Sequence, residues 1–435
     1  MSKDRLARVY HADLWGLQGE KHDWLSEHDW EHTPWQELHP GPEFYLFVPT
    51  DKRTLEKYSA FPKVTEIFPV YSVGIVTARD RLTIRWTPEE VWTTVLNFSR
   101  MDPEFARETY KLGKDARDWK VSLAQEDLRK SGPERKHIVP ILYRPFDVRY
   151  TYYTGRSRGF ICMPRPEVMR HMLAGENLAL ITSRLTKGES FQHAQVTCNI
   201  VEVICMSPKT SNNGFVFPLY LYPDAERDDL FSKHEPSERQ PNLNTELVRK
   251  LAEAYGEEPS PEDVFHYVYA VLYAPSYREK YAEFLRIDFP RIPFTSDYEL
   301  FRKMSKLGRR LVDLHLLRSP ELDPPIARFQ GEGDGKVQTG KKGLRYDPES
   351  ARVYINETQY FEGVPPEVWE YQIGGYQVCH KWLKDRKGRA LSLHEIRTYC
   401  RIITALAKTI EIQEHIDKTF LHEGLISEEG RDHEN

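Results

Sequence analysis

Long apolar runs are missing from this sequence. No stretch of about 18 consecutive apolar residues occurs, so no membrane-spanning helix is expected. The start, MSKDRLARVYHADLW, lacks the apolar centre of a secretory signal. Cysteine is sparse and odd in number: Cys162, Cys198, Cys205, Cys379 and Cys400 are scattered, with no Cys-x-x-Cys pair for zinc or redox chemistry. Reduced thiols in a cytoplasmic protein are the expectation. A phosphate-cradling GxxxxGK(S/T) loop is absent, as is a strand-borne carboxylate pair followed by lysine. Positive charge is not in surplus either: the net charge is −5, which excludes a protein that coats nucleic acid by bulk charge. His22, His28 and His32 lie in a polar, Trp-rich stretch and read as surface residues rather than metal ligands.

What is present is a globular composition, 40% hydrophobic and 12% aromatic over 435 residues, enough for two or three domains. The charge is unevenly placed. Between Lys136 and Lys187, nine Lys/Arg face Asp147, Glu167 and Glu176, a local +6 that leaves −11 for the remainder. Within this segment, residues 142–161 read LYRPFDVRYTYYTGRSRGFI. Arg144, Arg149, Arg156, Arg158 and, just beyond, Arg165 offer planar forks that clamp phosphate or read guanine. Tyr152 and Tyr153, with Tyr150, offer flat faces on which bases can rest. Arg156 and Arg158 flank a Gly-containing turn and are expected to be exposed. Arg144 and Asp147 flank Pro-Phe and are candidates to pair with each other. Arg184 and Lys187 sit in a turn after a strand, and Asn212 and Asn213 in a loop where asparagine can bind adenine or simply form an Asn-Gly turn. Leaving Tyr150 aside, these eleven residues are the candidate DNA contacts.

The chain reads as α+β in three parts. Residues 1–135 are mixed, with strands expected at 44–48, 72–76 and 82–86, and a helix opened by the Thr87-Pro-Glu-Glu90 capping box. Residues 136–241 are strand-rich, ending in a polar linker. Residues 242–420 are mainly helical: Ser260 and Ser296 each start a helix, Ser392 starts a last long one, and 319–350, with five glycines, reads as a flexible excursion. Phe265, Tyr267, Tyr269, Tyr273, Tyr277 and Tyr281 read as core, as does Trp382 as much as a backbone contact. Residues 421–435 form a polar tail.

The Arg/Tyr stretch, together with 191–207 (FQHAQVTCNIVEVICMS), 264–294 (VFHYVYAVLYAPSYREKYAEFLRIDFPRIPF) and 367–388 (EVWEYQIGGYQVCHKWLKDRKG), resembles the C-terminal target-recognising region of type ISP restriction–modification enzymes and related adenine-specific DNA methyltransferases. The resemblance runs from about Ala7 to about Asp417. It implies sequence recognition on double-stranded DNA. It also implies partner methyltransferase and helicase–nuclease domains or subunits that carry S-adenosylmethionine, ATP and magnesium, none of them bound by this chain. LARVYHADLW resembles what directly follows the methyltransferase core, so the chain is expected to be the specificity half, split off or truncated.

No catalytic residue is expected. The (Asn/Asp)-Pro-Pro-(Tyr/Phe) motif that holds a flipped adenine is imitated only by Asp323-Pro-Pro-Ile326, which lacks the aromatic. Gly331-Glu-Gly-Asp-Gly335 has no strand before it to make a cofactor turn, and Gly155-Arg-Ser-Arg-Gly159 has no helix directly after its serine to make a nucleophile elbow. A degenerate adenine methyltransferase acting alone and a protein-interaction scaffold stay open as alternatives. The first requires S-adenosylmethionine binding; the second predicts no salt-dependent DNA affinity.

Overall fold

The computed structural model describes residues 7–41, 45–49, 51–223, 239–340 and 342–422. Helix makes up 41% and strand 17%, in an α+β arrangement of several small sheets. The chain divides into two compact units, Met1–Phe61 and Pro62–Asn435.

The first unit holds an antiparallel pair, Val9–His11 with Gln36–Leu38, and helices Gln18–Glu27 and Lys52–Ala60. Asp51 caps the second helix, its carboxylate accepting from the Arg53 and Thr54 amides. The strand expected at 44–48 does not form among the described residues. Phe44 lies outside them, and Tyr45 and Phe47 are exposed loop residues.

The second unit carries three principal sheets. An antiparallel one orders Ser72–Val73, Gly214–Pro218, Ala179–Ser183 and Ala194–Thr197. A second places Ile138–Arg144 between Asp147–Tyr152, antiparallel, and Ile200–Val201, parallel. The strand expected at 72–76 is thus shorter. Its continuation changes partners, Gly74 bonding Gly214 and Ile75 bonding Val201, a close approach that needs glycine at 74, where a Cβ would lie 2.8 Å from the Val201 carbonyl. The strand expected at 82–86 is instead the one-turn helix Asp80–Thr83, followed by a single bridge from Arg85 to Tyr150. Leu82 and Thr83 are both buried, so the turn satisfies their backbone locally while Arg85 reaches the hairpin.

Helix starts follow the sequence. Thr87 Oγ1 accepts from the Glu90 amide and Ser260 Oγ from the Asp263 amide. At the last helix, Leu393–His422, Ser392 and Glu395 exchange both bonds of a capping box. The Tyr298–His315 helix is capped by Asp297, one residue beyond the expected Ser296. Helix Pro261–Tyr273 is buried along nearly its whole length, as an all-round apolar helix must be. It crosses Tyr298–His315 so closely that a Cβ at Gly308 would sit 1.8 Å from the His266 carbonyl oxygen. The expected core aromatics Phe265, Tyr267, Tyr269, Tyr273, Tyr277 and Tyr281 are all buried here. At this junction His315 is enclosed between the Tyr269 hydroxyl (2.6 Å) and Thr409 Oγ1 (2.9 Å). Thr409 donates to the Ala405 carbonyl, so it accepts from His315 Nε2, and Nδ1 accepts from Tyr269.

The excursion expected at 319–350 is ordered in large part. Arg328–Gln330 and Arg345–Asp347 are the outer strands of an antiparallel sheet completed by Arg352–Tyr354 and Tyr360–Glu362. Its glycines supply turns; Gly331, at φ +92°, passes against the Thr358 carbonyl. Residues 224–238, in the expected linker, and 423–435, in the expected tail, lie outside the described residues.

Candidate nucleic-acid interface

The Arg/Tyr stretch folds as a hairpin, Ile138–Arg144 against Asp147–Tyr152, with an irregularity between Leu142 and Arg144. Adjacent residues Ile141 and Leu142, and likewise Thr151 and Tyr152, are buried, so both faces of the hairpin are covered at these positions. Tyr152 is fully enclosed, its hydroxyl accepting from the Glu134 amide and donating to the Gly132 carbonyl. Tyr153 is buried and donates to the Pro164 carbonyl. Neither ring offers an open face for a base.

Two of the arginines are also internal. Arg144 does not pair with Asp147. It reaches Glu202 at 2.7 Å with both side chains buried, and its guanidinium lies over the Tyr143 ring. Burial holds the Glu202 carboxyl up at about 7. Asp147 instead accepts from Arg149 (2.7 Å) and Arg386 (3.0 Å). Burial alone would raise its pKa; Arg386 and Arg149 overcome that and hold it below the usual carboxylate range. Trp86 closes the cluster. Arg149 and Arg389 each stack 3.9 Å from its ring, and Arg386 stacks 3.3 Å from Trp382. Trp382 is therefore a packing residue, buried as one of its two sequence readings had it.

The loop after the hairpin is different. Buried Asp127 accepts from Thr154 Oγ1 and from the Phe160 amide, both at 2.9 Å. The Thr154 hydroxyl in turn accepts from the Arg156 amide, and the Arg158 amide donates to the Cys162 carbonyl. The backbone is fixed at both ends while the side chains of Arg156 and Arg158 stay in solvent, as their turn position implied. Arg158 is 66% exposed and only 3.6 Å from Asp118, a weak tether. Arg165, half-buried and at φ +54°, is the N-cap of helix Pro166–Leu173.

A second loop presents Arg184 and Lys187, both exposed. Arg184 Nε is 3.3 Å from Asp288, which also pairs with Lys63. Asn212 is not at the surface. It is buried, accepts from the Lys187 amide (3.0 Å) and donates to Glu189 (2.8 Å), so it braces this loop. Burial would raise the Glu189 carboxyl, but hydrogen bonds from His193, Asn212 and Ser207 prevail and hold it down at about 2. The Gly374-Gly375 turn fits against the same cluster. A Cβ on Gly375 would lie 2.3 Å from Glu189 Oε1, and one on Gly374 1.8 Å from the Met206 carbonyl. Asn213 is half-buried beside the start of the Gly214 strand.

Sequence reasoning therefore located the basic stretch but not its internal partners. Asp127, Glu189 and Glu202 carried no local signal that separated them from surface carboxylates. The spacing of Trp86 and Arg386 from the hairpin hid the stack they make on it. Among the described residues, no group of three or more His, Cys, Asp or Glu is placed to hold a metal ion. No helix among them is long and apolar enough to cross a membrane.

The family model of the Type ISP C-terminal specificity domain matches residues 66–415. Three solved structures share the fold. The first is the cryoEM structure of a DrdV–DNA complex, with TM-score 0.67 and 21% identity over 91% of this chain and 42% of that one. The second is a nuclease-deletion mutant of the Type ISP restriction-modification enzyme LlaGI in complex with a DNA substrate mimic, with TM-score 0.64 and 19% identity over 94% of this chain and 33% of that one. The third is the ATP-dependent Type ISP restriction-modification enzyme LlaBIII bound to DNA, with TM-score 0.64 and 19% identity over 88% of this chain and 25% of that one. The chain thus spans less than half the length of each. No curated protein matches it.

Proposed function

The chain belongs to the Type ISP C-terminal specificity domain family, and we propose from this that it reads DNA sequence for a restriction–modification system. Adenine methylation and restriction themselves would be carried by other domains or chains, which would hold S-adenosylmethionine, ATP and magnesium. The observation that carries this reading is the 154–165 loop. Two solvent-facing arginines stand on a backbone pinned by buried Asp127, in a chain whose remainder is acidic. Exposed guanidinium forks on a fixed backbone suit bidentate contact with guanine or phosphate. Lys187 and Arg184, on a loop braced by Asn212 and Glu189, suit phosphate contact. Arg144, Tyr152, Tyr153 and Asn212 act from beneath, as framework.

The test is binding of the purified chain to a labelled duplex across a salt series. The reading requires an affinity that falls as salt rises and that weakens with Arg156→Ala and Lys187→Ala. Affinity unchanged in both variants, or none at any salt, overturns it.

A further inference from the structure

The sheet formed by Arg328–Gln330, Tyr360–Glu362, Arg352–Tyr354 and Arg345–Asp347 has two unlike faces. One is apolar: Val353 and Phe361 are fully buried, and the Phe361 ring lies 4.5 Å from that of Tyr399 on the last helix. Strand alternation sends the other residues to the opposite face. The register aligns Gln330, Tyr360, Tyr354 and Arg345 in one row, and Arg328, Glu362, Arg352 and Asp347 in the next. No aliphatic side chain stands in either row.

The Tyr354 and Tyr360 rings lie 5.1 Å apart. Arg345 stacks 3.9 Å from the first and Arg352 4.4 Å from the second. The two carboxylates are satisfied locally, Glu362 by Gln330 Nε2 (2.9 Å) and Asp347 by Ser350 Oγ (2.6 Å). Three guanidiniums share the face with these two carboxylates; Arg345 Nη1 donates to the Gly343 (3.2 Å) and Asn356 (3.3 Å) carbonyls, and Arg352 lies 3.9 Å from Glu362. Tyr354, Tyr360 and Arg352 are half-buried, and among the described residues their ring and charge contacts are made within this face. Arg328 is exposed.

We propose that this face is a second DNA-contacting surface that takes an unstacked stretch of strand. The inference rests on the DNA-recognition reading above. The two tyrosine rings are the platform for bases, and Arg328 and Arg352 meet the phosphates beside them. Every base has a flat face, so paired aromatics flanked by cations fit single-stranded nucleic acid irrespective of sequence. A protein partner of ordinary composition would ask for an apolar centre, which these two rows lack.

The experiment compares the full chain on a labelled duplex with a central bubble of unpaired bases and on the same duplex fully paired, by fluorescence anisotropy. The wild-type chain is expected to prefer the bubble. Tyr354→Ala/Tyr360→Ala should cut that preference by about tenfold, whereas Tyr354→Phe/Tyr360→Phe keeps it. Iododeoxyuridine in the bubble should photo-crosslink to Tyr354 or Tyr360. A bubble preference retained by the folded alanine variant, or crosslinks that map only elsewhere, overturns the inference. If Arg156→Ala weakens binding to paired duplex but no bubble preference exists, this inference alone falls. If the wild-type chain binds neither duplex, the DNA reading falls and takes this one with it.

Discussion

Asp147 and Arg386, 239 residues apart in the chain, meet at 3.0 Å with both side chains buried. Through this contact the Asp147–Tyr152 strand is fixed to the segment that follows helix Val378–Lys384, and Arg149 joins from the strand itself. Removing the carboxylate takes from both guanidiniums their most deeply buried partner, leaving Arg386 only Glu395 (3.2 Å) and Arg149 only Asp385 (3.4 Å). Asp147→Asn should destabilise the chain by about 3–5 kcal/mol, read as a shift of the urea midpoint. A change within about 0.5 kcal/mol, the range of surface substitutions, would show that the cluster does not hold the hairpin.

His315 gives a pH signature. Its enclosure lowers the imidazole pKa to about 3, against about 6.5 in the unfolded chain. The neutral form is the native one, so its contribution is whole above about pH 6.5 and is lost as pH falls toward 3, at up to about 1.4 kcal/mol per unit. Glu202, held up at about 7 by burial, slopes the opposite way above the usual carboxylate range. The informative quantity is therefore the difference between the wild-type chain and His315→Gln. Between pH 7 and 5.5 the wild type should lose the more stability, and equal slopes in denaturant titrations would contradict the placement of His315.

Gly374, at φ +59°, backs onto the Met206 carbonyl, where a Cβ would come within 1.8 Å. Gly388, at φ +76°, faces open space. Gly388→Ala bears only the left-handed backbone penalty of about 1–2 kcal/mol. Gly374→Ala should add overpacking of about 1–3 kcal/mol to it. Thermal unfolding of the two variants checks the order; equal losses would mean that the turn is not seated as described.

Arg156 and Arg158 should separate stability from binding. Both side chains are in solvent, so alanine at either should leave unfolding within about 0.5 kcal/mol of wild type. If the contact is to phosphate, the log–log salt slope of DNA binding drops by about 1; if it is to guanine, discrimination at one base pair falls by about 1–3 kcal/mol. A variant that unfolds readily would instead make the arginine part of the framework.

Much of this was legible in the sequence because it is local. The caps at Thr87, Ser260 and Ser392 need only neighbouring residues, and the exposure of Arg156 and Arg158 follows from a glycine turn. The rest depends on partners far along the chain. Arg144 and Arg156 belong to one basic stretch, yet one is neutralised by Glu202, 58 residues on, and the other is not. Tyr152 carries the alternation of a strand but not which of its sides is covered. The five glycines of 319–350 signalled flexibility, whereas the cross-strand pairs Arg345↔Tyr354 and Arg328↔Glu362 order the segment from outside it. Leu82–Trp86 alternates like a strand but lacks a neighbour to pair with except at Arg85.

DNA sequence reading by this chain is tested by selection with the purified chain from a random duplex pool at two salt concentrations. A sequence-reading chain enriches one short motif that persists at the higher salt and is lost with Arg156→Ala or Arg158→Ala. Unselective binding that vanishes at the higher salt, identical in the variants, would contradict it.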